Sequence, residues 1–431
     1  MTVLDADNPL AGPPAGQPGH QTTDPLARLP RAARWAIYFV VGMGVLALTR
    51  ELTGAGQLTA EGTFRSALEL ALPIGLAGLG GLWAERAGVV NIGLEGMMIL
   101  GTWFGAFGAI NWGPWQGVAF GILGGALGGL LHAIATVTFG VDHIISGVAI
   151  NLLGLGITGF LTTTTKSWYT NGQPAAKDSP QFDADILEVD LIPFLEEPLE
   201  TVSGQNRFFL SDTADLLLAL TTNVSLLIVV AVLLFPLTWF LLWRTPFGLR
   251  LRSVGEDPEA ADSLGVKVYS LKYVAVTVSG AMAGLGGVIL VYVFANQFKS
   301  GQTNGRGFIG LAAMIFGNWR PGGLVAGAGL FGFMDSMQSQ VNRTAHAILI
   351  AAALLLAIFA LRALVTRRVK AAILLTALAF GAWYWYASTD ELPRELVPYF
   401  PHITTILVLV FAAQRLRMPA ADGKIYRRDG R

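Results

Sequence analysis

Glu95 is the single Asp, Glu, Lys or Arg within the 55 residues 87–141. A carboxylate inside an apolar span costs about 2.5–3.5 kcal/mol on insertion scales, so it faces a cavity or a partner. Asn91 stands four residues earlier, which puts both side chains on one helix face. Either Asn91 and Glu95 line a path and hydrogen-bond a polar solute, or Glu95 pairs with Arg86 or Arg306 and fastens two helices together. A second polar set in apolar surroundings is Asn296, Gln297, Arg306 and Asn318, and a third is Asp142, His143, Ser146 and Asn151. Asn91, Glu95, Asn151, Asn296, Gln297, Arg306 and Asn318 are the candidate path residues. Asp142 and His143 read as the end of a span.

Other chemistry has no residues to carry it. The chain has no cysteine, which excludes disulfides, thiolate metal sites and cysteine nucleophiles. Its five histidines never stand four apart, so no zinc or di-iron pattern is present. The phosphate loop Gly-x-x-x-x-Gly-Lys-Ser/Thr is missing, as are a serine nucleophile elbow and a metalloprotease helix. We therefore expect no catalytic residue, no bound metal and no cofactor, and any energy source to be another subunit or an ion gradient.

The elements that position these residues are membrane spans. The chain is 53% hydrophobic and 13% charged, about half the charged fraction usual in soluble domains. Its mean hydropathy is +0.55. Basic and acidic residues cancel at 29 each, so the position of charge carries the information. A span needs about 20 apolar residues, and 216–243 and 273–298 contain no charge at all. The pattern predicts an all-α polytopic transmembrane helical bundle of about 10–12 spans, at 33–49, 64–83, 89–109, 115–138, 144–163, 224–243, 271–294, 307–319, 322–340, 345–363, 371–387 and 403–414. The stretch 307–319 is too short to cross alone and, with Arg320-Pro321-Gly322-Gly323, reads as a broken or re-entrant helix. The last span is also short and is expected to begin nearer Val397.

Twelve crossings place four basic clusters on one side, which the positive-inside rule makes cytoplasmic. They are Arg28, Arg31 and Arg34; Arg244, Arg250 and Arg252; Arg362, Arg367, Arg368 and Lys370; and Arg415, Arg417, Lys424, Arg427, Arg428 and Arg431. Residues 1–30, rich in Pro, Gly and Asp, read as a disordered cytoplasmic tail. The membrane domain runs over 31–418 and a second cytoplasmic tail over 419–431. An acidic loop, 166–215, with ten acidic and three basic residues, falls outside the membrane. Within it, 186–192 could form a small surface element.

An internal echo points to a repeat. Ala77-Gly78-Leu79-Gly80-Gly81 recurs as Ala283-Gly284-Leu285-Gly286-Gly287, each followed by an asparagine, Asn91 or Asn296, and then by a Gly-interrupted segment. Transporters built from repeats hold substrate near mid-membrane, where broken helices expose backbone groups.

The cytoplasmic loop 244–270 contains a short helix with legible ends. Asp257 suits an N-cap and Pro258 the first helical position. Glu259 favours the positive end of the helix, and Gly265 the stop after it. Such a helix is too short to stand alone, and the small Ala260 and Ala261 would let it enter a groove.

Four blocks resemble a known family. The stretch 85–98, ERAGVVNIGLEGMM, is similar to the signature of ATP-binding-cassette (ABC) transporter permeases of the branched-chain amino acid/ribose type. The match is best to nucleoside and simple-sugar importer permeases that work with binding lipoproteins. Residues 247–250 (FGLR) with 254–266 (VGEDPEAADSLGV), 305–323 (GRGFIGLAAMIFGNWRPGG) and 397–410 (VPYFPHITTILVLV) resemble further blocks of that family. Together the blocks cover roughly 65–340 and 393–418.

The resemblance implies a permease subunit in the inner cell membrane, with both termini cytoplasmic. It would form the path of an importer for a nucleoside, sugar or similar small polar solute. The implied partners are an ABC ATPase subunit that binds ATP and magnesium, a second related permease, a solute-binding lipoprotein outside, and membrane lipid; no nucleic acid polymer is expected. It makes Phe247, Gly248, Arg250, Gly255, Asp257, Pro258, Ala260, Ala261 and Gly265 the segment coupled to the ATPase, and Asn91 and Glu95 pore-lining. A hairpin over 345–390 looks like an addition to the family's usual span count. The alternative is a secondary transporter driven by an ion gradient, with Glu95 as the proton-coupling carboxylate.

Overall fold

The structure, a computed structural model, describes residues 30–164, 178–184, 186–340, 342–393, 395–412 and 416–427. The expected N-terminal tail, except Pro30, lies outside the described residues. So do 166–177 and 185 of the acidic loop, 428–431 of the second tail, and the basic residues Arg28, Arg415, Arg428 and Arg431.

Helices dominate, and each expected span has one. They are α1 (Arg31–Thr53), α2 (Glu61–Arg86), α3 (Leu94–Trp112), α4 (Pro114–Ala133) and α5 (His143–Thr164). Two short helices follow in the acidic loop, α6 (Glu196–Ser203) and α7 (Leu210–Thr221). Then come α8 (Leu226–Arg244), α9 (Pro246–Glu256), α10 (Pro258–Ser263) and α11 (Val268–Ile289). The chain continues with α12 (Arg306–Phe316), α13 (Pro321–Ser336), α14 (Asn342–Val365), α15 (Val369–Ser388) and α16 (Phe400–Ala412).

Among the described residues, eight helices are long and apolar enough to cross a membrane. The other four expected spans are α3, which is 19 residues long but carries Glu95 and Asn111, and the shorter α12, α13 and α16 of 11, 16 and 13 residues. A 3-10 turn at Val397–Tyr399 leads into α16. The one described strand pair joins the acidic loop to the chain just before α8, Glu188–Val189 antiparallel to Val224–Ser225. Helix α9, just ahead of the expected short helix, had no counterpart in the sequence reading.

Contacts divide the chain into two compact units. One comprises residues 30–49 and 348–389, that is, most of α1 with most of the hairpin α14–α15, which turns at Arg367 with φ 57°. The other comprises 50–347 and the described part of 390–431.

Glycine sets the packing of the larger unit, as expected where small residues let helices approach backbone to backbone in lipid. The two copies of the Ala-Gly-Leu-Gly-Gly echo lie in α2 and α11, and these helices cross there. A side chain at Gly80 would strike the Ser279 carbonyl, and one at Gly286 would come within 3.0 Å of the Pro73 carbonyl. Gly101 of α3 and Gly125 of α4 both close on Gly284. Wide π-helical turns at Ile134–Thr138 and Leu290–Ala295 finish α4 and α11.

Candidate functional site

Three stretches of the larger unit are not full spans, and together they hold the candidate path residues except Glu95, in the first turn of α3, and Asn151, which braces one of them from α5. In apolar surroundings their backbone groups need internal partners. The first is 87–93, an unwound stretch between α2 and α3. Val90 N donates to His143 Nδ1 at 3.3 Å, and Val90 O faces His132 Nε2 at 3.0 Å. That carbonyl only accepts, so His132 carries its proton on Nε2, and Nδ1 accepts from Ser146 Oγ at 2.8 Å. Asn151 reaches over from α5: Nδ2 donates to Ile92 O at 3.0 Å, and Oδ1 accepts from Gly96 N at 2.7 Å. Asn91 is fully buried; its Oδ1 accepts from Gly93 N at 3.0 Å and its Nδ2 donates to Ser279 Oγ of α11 at 2.9 Å.

The second stretch is the helical hairpin α12–α13. Helix α12 has 11 residues, so it is about 16 Å long, roughly half the ~30 Å hydrocarbon core. It runs alongside α2, with Gly310 against Ile74 and Gly78. It ends in a left-handed turn, Asn318 at φ 54° and Trp319 at φ 52°. Its N-terminus is the deep end. There Gly305 N donates to Glu95 Oε1 at 2.9 Å and Gly307 N to Glu95 Oε2 at 2.7 Å. A carboxylate at the positive end of a helix, accepting two otherwise unpaired amides, is favourable on both counts. Arg306 donates through Nε to Asp335 Oδ2 at 2.6 Å and through Nη1 to Gln302 O at 3.0 Å.

The third stretch, 296–305, descends from the top of α11 to that deep end. Asn296 takes a left-handed conformation at φ 46°, and its carbonyl accepts from Phe182 N at 3.0 Å. Gln297 Nε2 donates to Ser179 O at 2.6 Å. The candidate path residues are thus brought together at one level only in part. Asn91, Glu95, Asn151 and Arg306 cluster half-way, Asn296 and Gln297 sit with the acidic loop at one end, and Asn318 lies at the other.

At the Asn318 end the chain builds a second polar cluster. Asn318 Oδ1 accepts from Arg417 N at 2.8 Å. Arg86 donates to Trp319 O at 2.7 Å, and the Trp319 ring N–H donates to buried Glu85. The C-terminal stretch 416–427 is laid over this end. Ala421 N donates to Gly255 O at 2.9 Å, and Ala420 N to Glu256 Oε2 at 3.2 Å. Asp422 shares a side-chain hydrogen bond with Glu85, and burial pushes the Asp422 carboxyl up to about 6. Tyr426 stands against Tyr269 with ring centroids 5.5 Å apart.

The same end carries the short helix α10. Asp257 Oδ1 accepts from Ala260 N at 3.0 Å, Pro258 is the first helical residue, and Gly265 takes φ +81° just beyond the last turn. Phe247 packs on Trp83, with ring centroids 6.1 Å apart. Gly248 and Gly255 are buried, and a side chain on Gly255 would strike the Arg86 carbonyl. Ala261 is 3% exposed among Val254, Val268 and Tyr426. Arg250, Asp257, Ala260 and Gly265 face outward, Pro258 half so, and Leu264 is 86% exposed.

Sequence reasoning passed over His132, Ser279, Asp335 and the role of 416–427. His132 and Ser279 each stand in an uninterrupted apolar run, which was the one available signal.

The sequence pattern of the family described as "Branched-chain amino acid transport system / permease component" matches residues 64–390. The chain is 38% identical over 277 residues to a guanosine ABC transporter permease protein of Bacillus subtilis, covering 63% of this chain and 79% of that one. It is 38% identical over 275 residues to a nucleoside ABC transporter permease protein of Lactococcus lactis, covering 62% and 78%. With a putative glucose ABC transporter permease protein of Haloferax volcanii it shares 36% identity over 283 residues, covering 65% and 77%. No solved structure is a significant match.

Proposed function

The chain belongs to the permease-component family of branched-chain amino acid transport systems, and from that premise we propose that it forms the solute path of an ATP-driven importer for a nucleoside or similar small polar solute. The relatives in Bacillus and Lactococcus, named for guanosine and nucleosides, support that solute class, and the Haloferax relative named for glucose supports a sugar as the second reading. The place of the path rests on one observation: half-helix α12 ends mid-way through the bundle, with its amides held by Glu95 of another helix. In this reading transport releases and re-forms that latch, which stands level with Asn91, Asn151 and Arg306. Asn296 and Gln297 then line the outer mouth and Asn318 the inner one.

In this reading the Asn318 end and both termini are cytoplasmic. An ATPase subunit, binding ATP and magnesium, docks on α10 through its outward residues Pro258, Ala260 and Leu264, while Phe247, Gly248, Gly255 and Ala261 tie α9 and α10 to the bundle. A second related permease completes the path, and a lipoprotein delivers the solute outside. Helix α15, almost wholly exposed, faces lipid or the second permease. Both oxygens of Glu95 are taken up by amide donors, which supports its reading as a latch between α3 and α12.

Reconstituted vesicles test the proposal. Nucleoside uptake should require ATP and all partner subunits. Uptake by this chain alone under a proton gradient would overturn it in favour of a secondary transporter.

A further inference from the structure

A cavity of about 410 Å³ opens at the Arg86 end, lined by Arg86, Glu256, Asn318, Arg320, Arg417 and Met418. Four separate stretches build it: the last turn of α2, the end of α9, the left-handed turn after α12, and the C-terminal stretch. Three guanidinium groups against one carboxylate leave an excess of two positive charges. Arg86 is partly engaged, with Nη1 3.9 Å from Glu256 Oε1 and its other nitrogens on Trp319 O. Arg320 and Arg417 have no carboxylate partner among the described residues. Helix α13, 16 residues long, begins at Pro321 directly after Arg320, so its positive end stands at the cavity wall. Its first-turn amides have no partner within the helix.

Two guanidinium groups without a carboxylate partner, lining one cavity with a third behind them, call for an anion. The volume falls in the range of small-molecule sites, about 300–1,000 Å³. The guanidinium fork matches phosphate oxygens two at a time. We propose that this cavity binds a phosphate-bearing anion, either a soluble phosphomonoester or the headgroup of an acidic phospholipid, held by Arg320 and Arg417 with Arg86 behind them. An occupant held by Arg417 and Arg320 ties the C-terminal stretch to the start of α13, beside Glu256 and the residue that caps α10. It therefore restrains the coupling segment. Only that consequence rests on the docking role proposed above, and binding does not.

The test compares the unmodified chain with the double variant Arg320→Gln/Arg417→Gln, two exposed positions. Saturating inorganic phosphate should raise the unfolding midpoint of the unmodified chain by about 2–4 °C over chloride of equal ionic strength, and leave the variant unmoved. A nucleoside monophosphate giving this shift in neutral lipid assigns the ligand to the soluble ester. Phosphatidylglycerol vesicles giving it without added phosphate, where phosphatidylcholine does not, assign it to lipid. Phosphorus NMR line broadening of inorganic phosphate on the unmodified chain supplies a readout that needs no variant. Equal shifts in both proteins, or equal effects of chloride and phosphate, overturn the proposal. So does a variant that loses its ATPase partner when the unmodified chain shows no phosphate effect, because the surface is then a protein contact.

Discussion

Glu95 and Gly307 lie on different helices and fit one another in two ways. Glu95 Oε2 accepts the Gly307 amide at 2.7 Å, and the Glu95 Cα fills the place of a Gly307 side chain, 2.6 Å from where a Cβ would sit. Gly307→Ala should therefore force α3 and α12 apart. A strained insertion of this kind costs about 1–3 kcal/mol, read as a lower unfolding midpoint in detergent.

Glu95→Gln removes the charge and turns one acceptor into a donor facing an amide. Leaving a buried donor unmatched costs about 1–3 kcal/mol. The expected outcome is a lower midpoint and slower uptake with solute preference unchanged. A change in preference without loss of stability would instead place Glu95 on the solute.

The unwound stretch 87–93 depends on side chains for its backbone bonds. His132→Ala leaves Val90 O and Ser146 without their partner, and Asn151→Ala leaves Ile92 O and Gly96 N so. Each should destabilise by about 1–3 kcal/mol per orphaned group. Thermal melts matching those of an exposed control substitution would contradict the bracing role.

Ala260 and Ala261 are neighbours with opposite surroundings. Ala260→Arg lies on the outer face of α10, so stability should stay within about 0.5 kcal/mol while ATP-driven uptake is lost. Ala261→Arg should instead lower stability, because that site is closed by Val254, Val268 and Tyr426. Full uptake by Ala260→Arg would remove α10 from the coupling path.

Asp422 makes docking of the C-terminal stretch pH-dependent. Its carboxyl is pushed up from 3.8 to about 6 by burial, so the docked state holds a proton that the released state gives up. Docking is therefore strongest below about pH 4 and weakens as pH rises through about 6. Hydrogen exchange at 416–427, corrected for its intrinsic pH dependence, should show less protection at high pH than at low. Asp422→Asn should flatten the profile.

The all-α membrane class and the presence of a helix at each expected span were legible in the sequence, because burial in lipid demands long uncharged runs and internally bonded backbone. The ends of α10 were legible too, since Asp257, Pro258 and Gly265 act through bonds within a few residues. Glu95 could be singled out by its charge alone, but its partner could not. Expected either to line the path or to pair with Arg86 or Arg306, it binds the amides of Gly305 and Gly307, some 210 residues away, and amides carry no mark in a sequence. For the same reason His132 passed unnoticed, and Asn151 stood as a path candidate, until the fold set both against 87–93. Which residues share a depth, and that 416–427 closes over α9 and α10, are set by contacts between distant segments. Only the tertiary structure decides those.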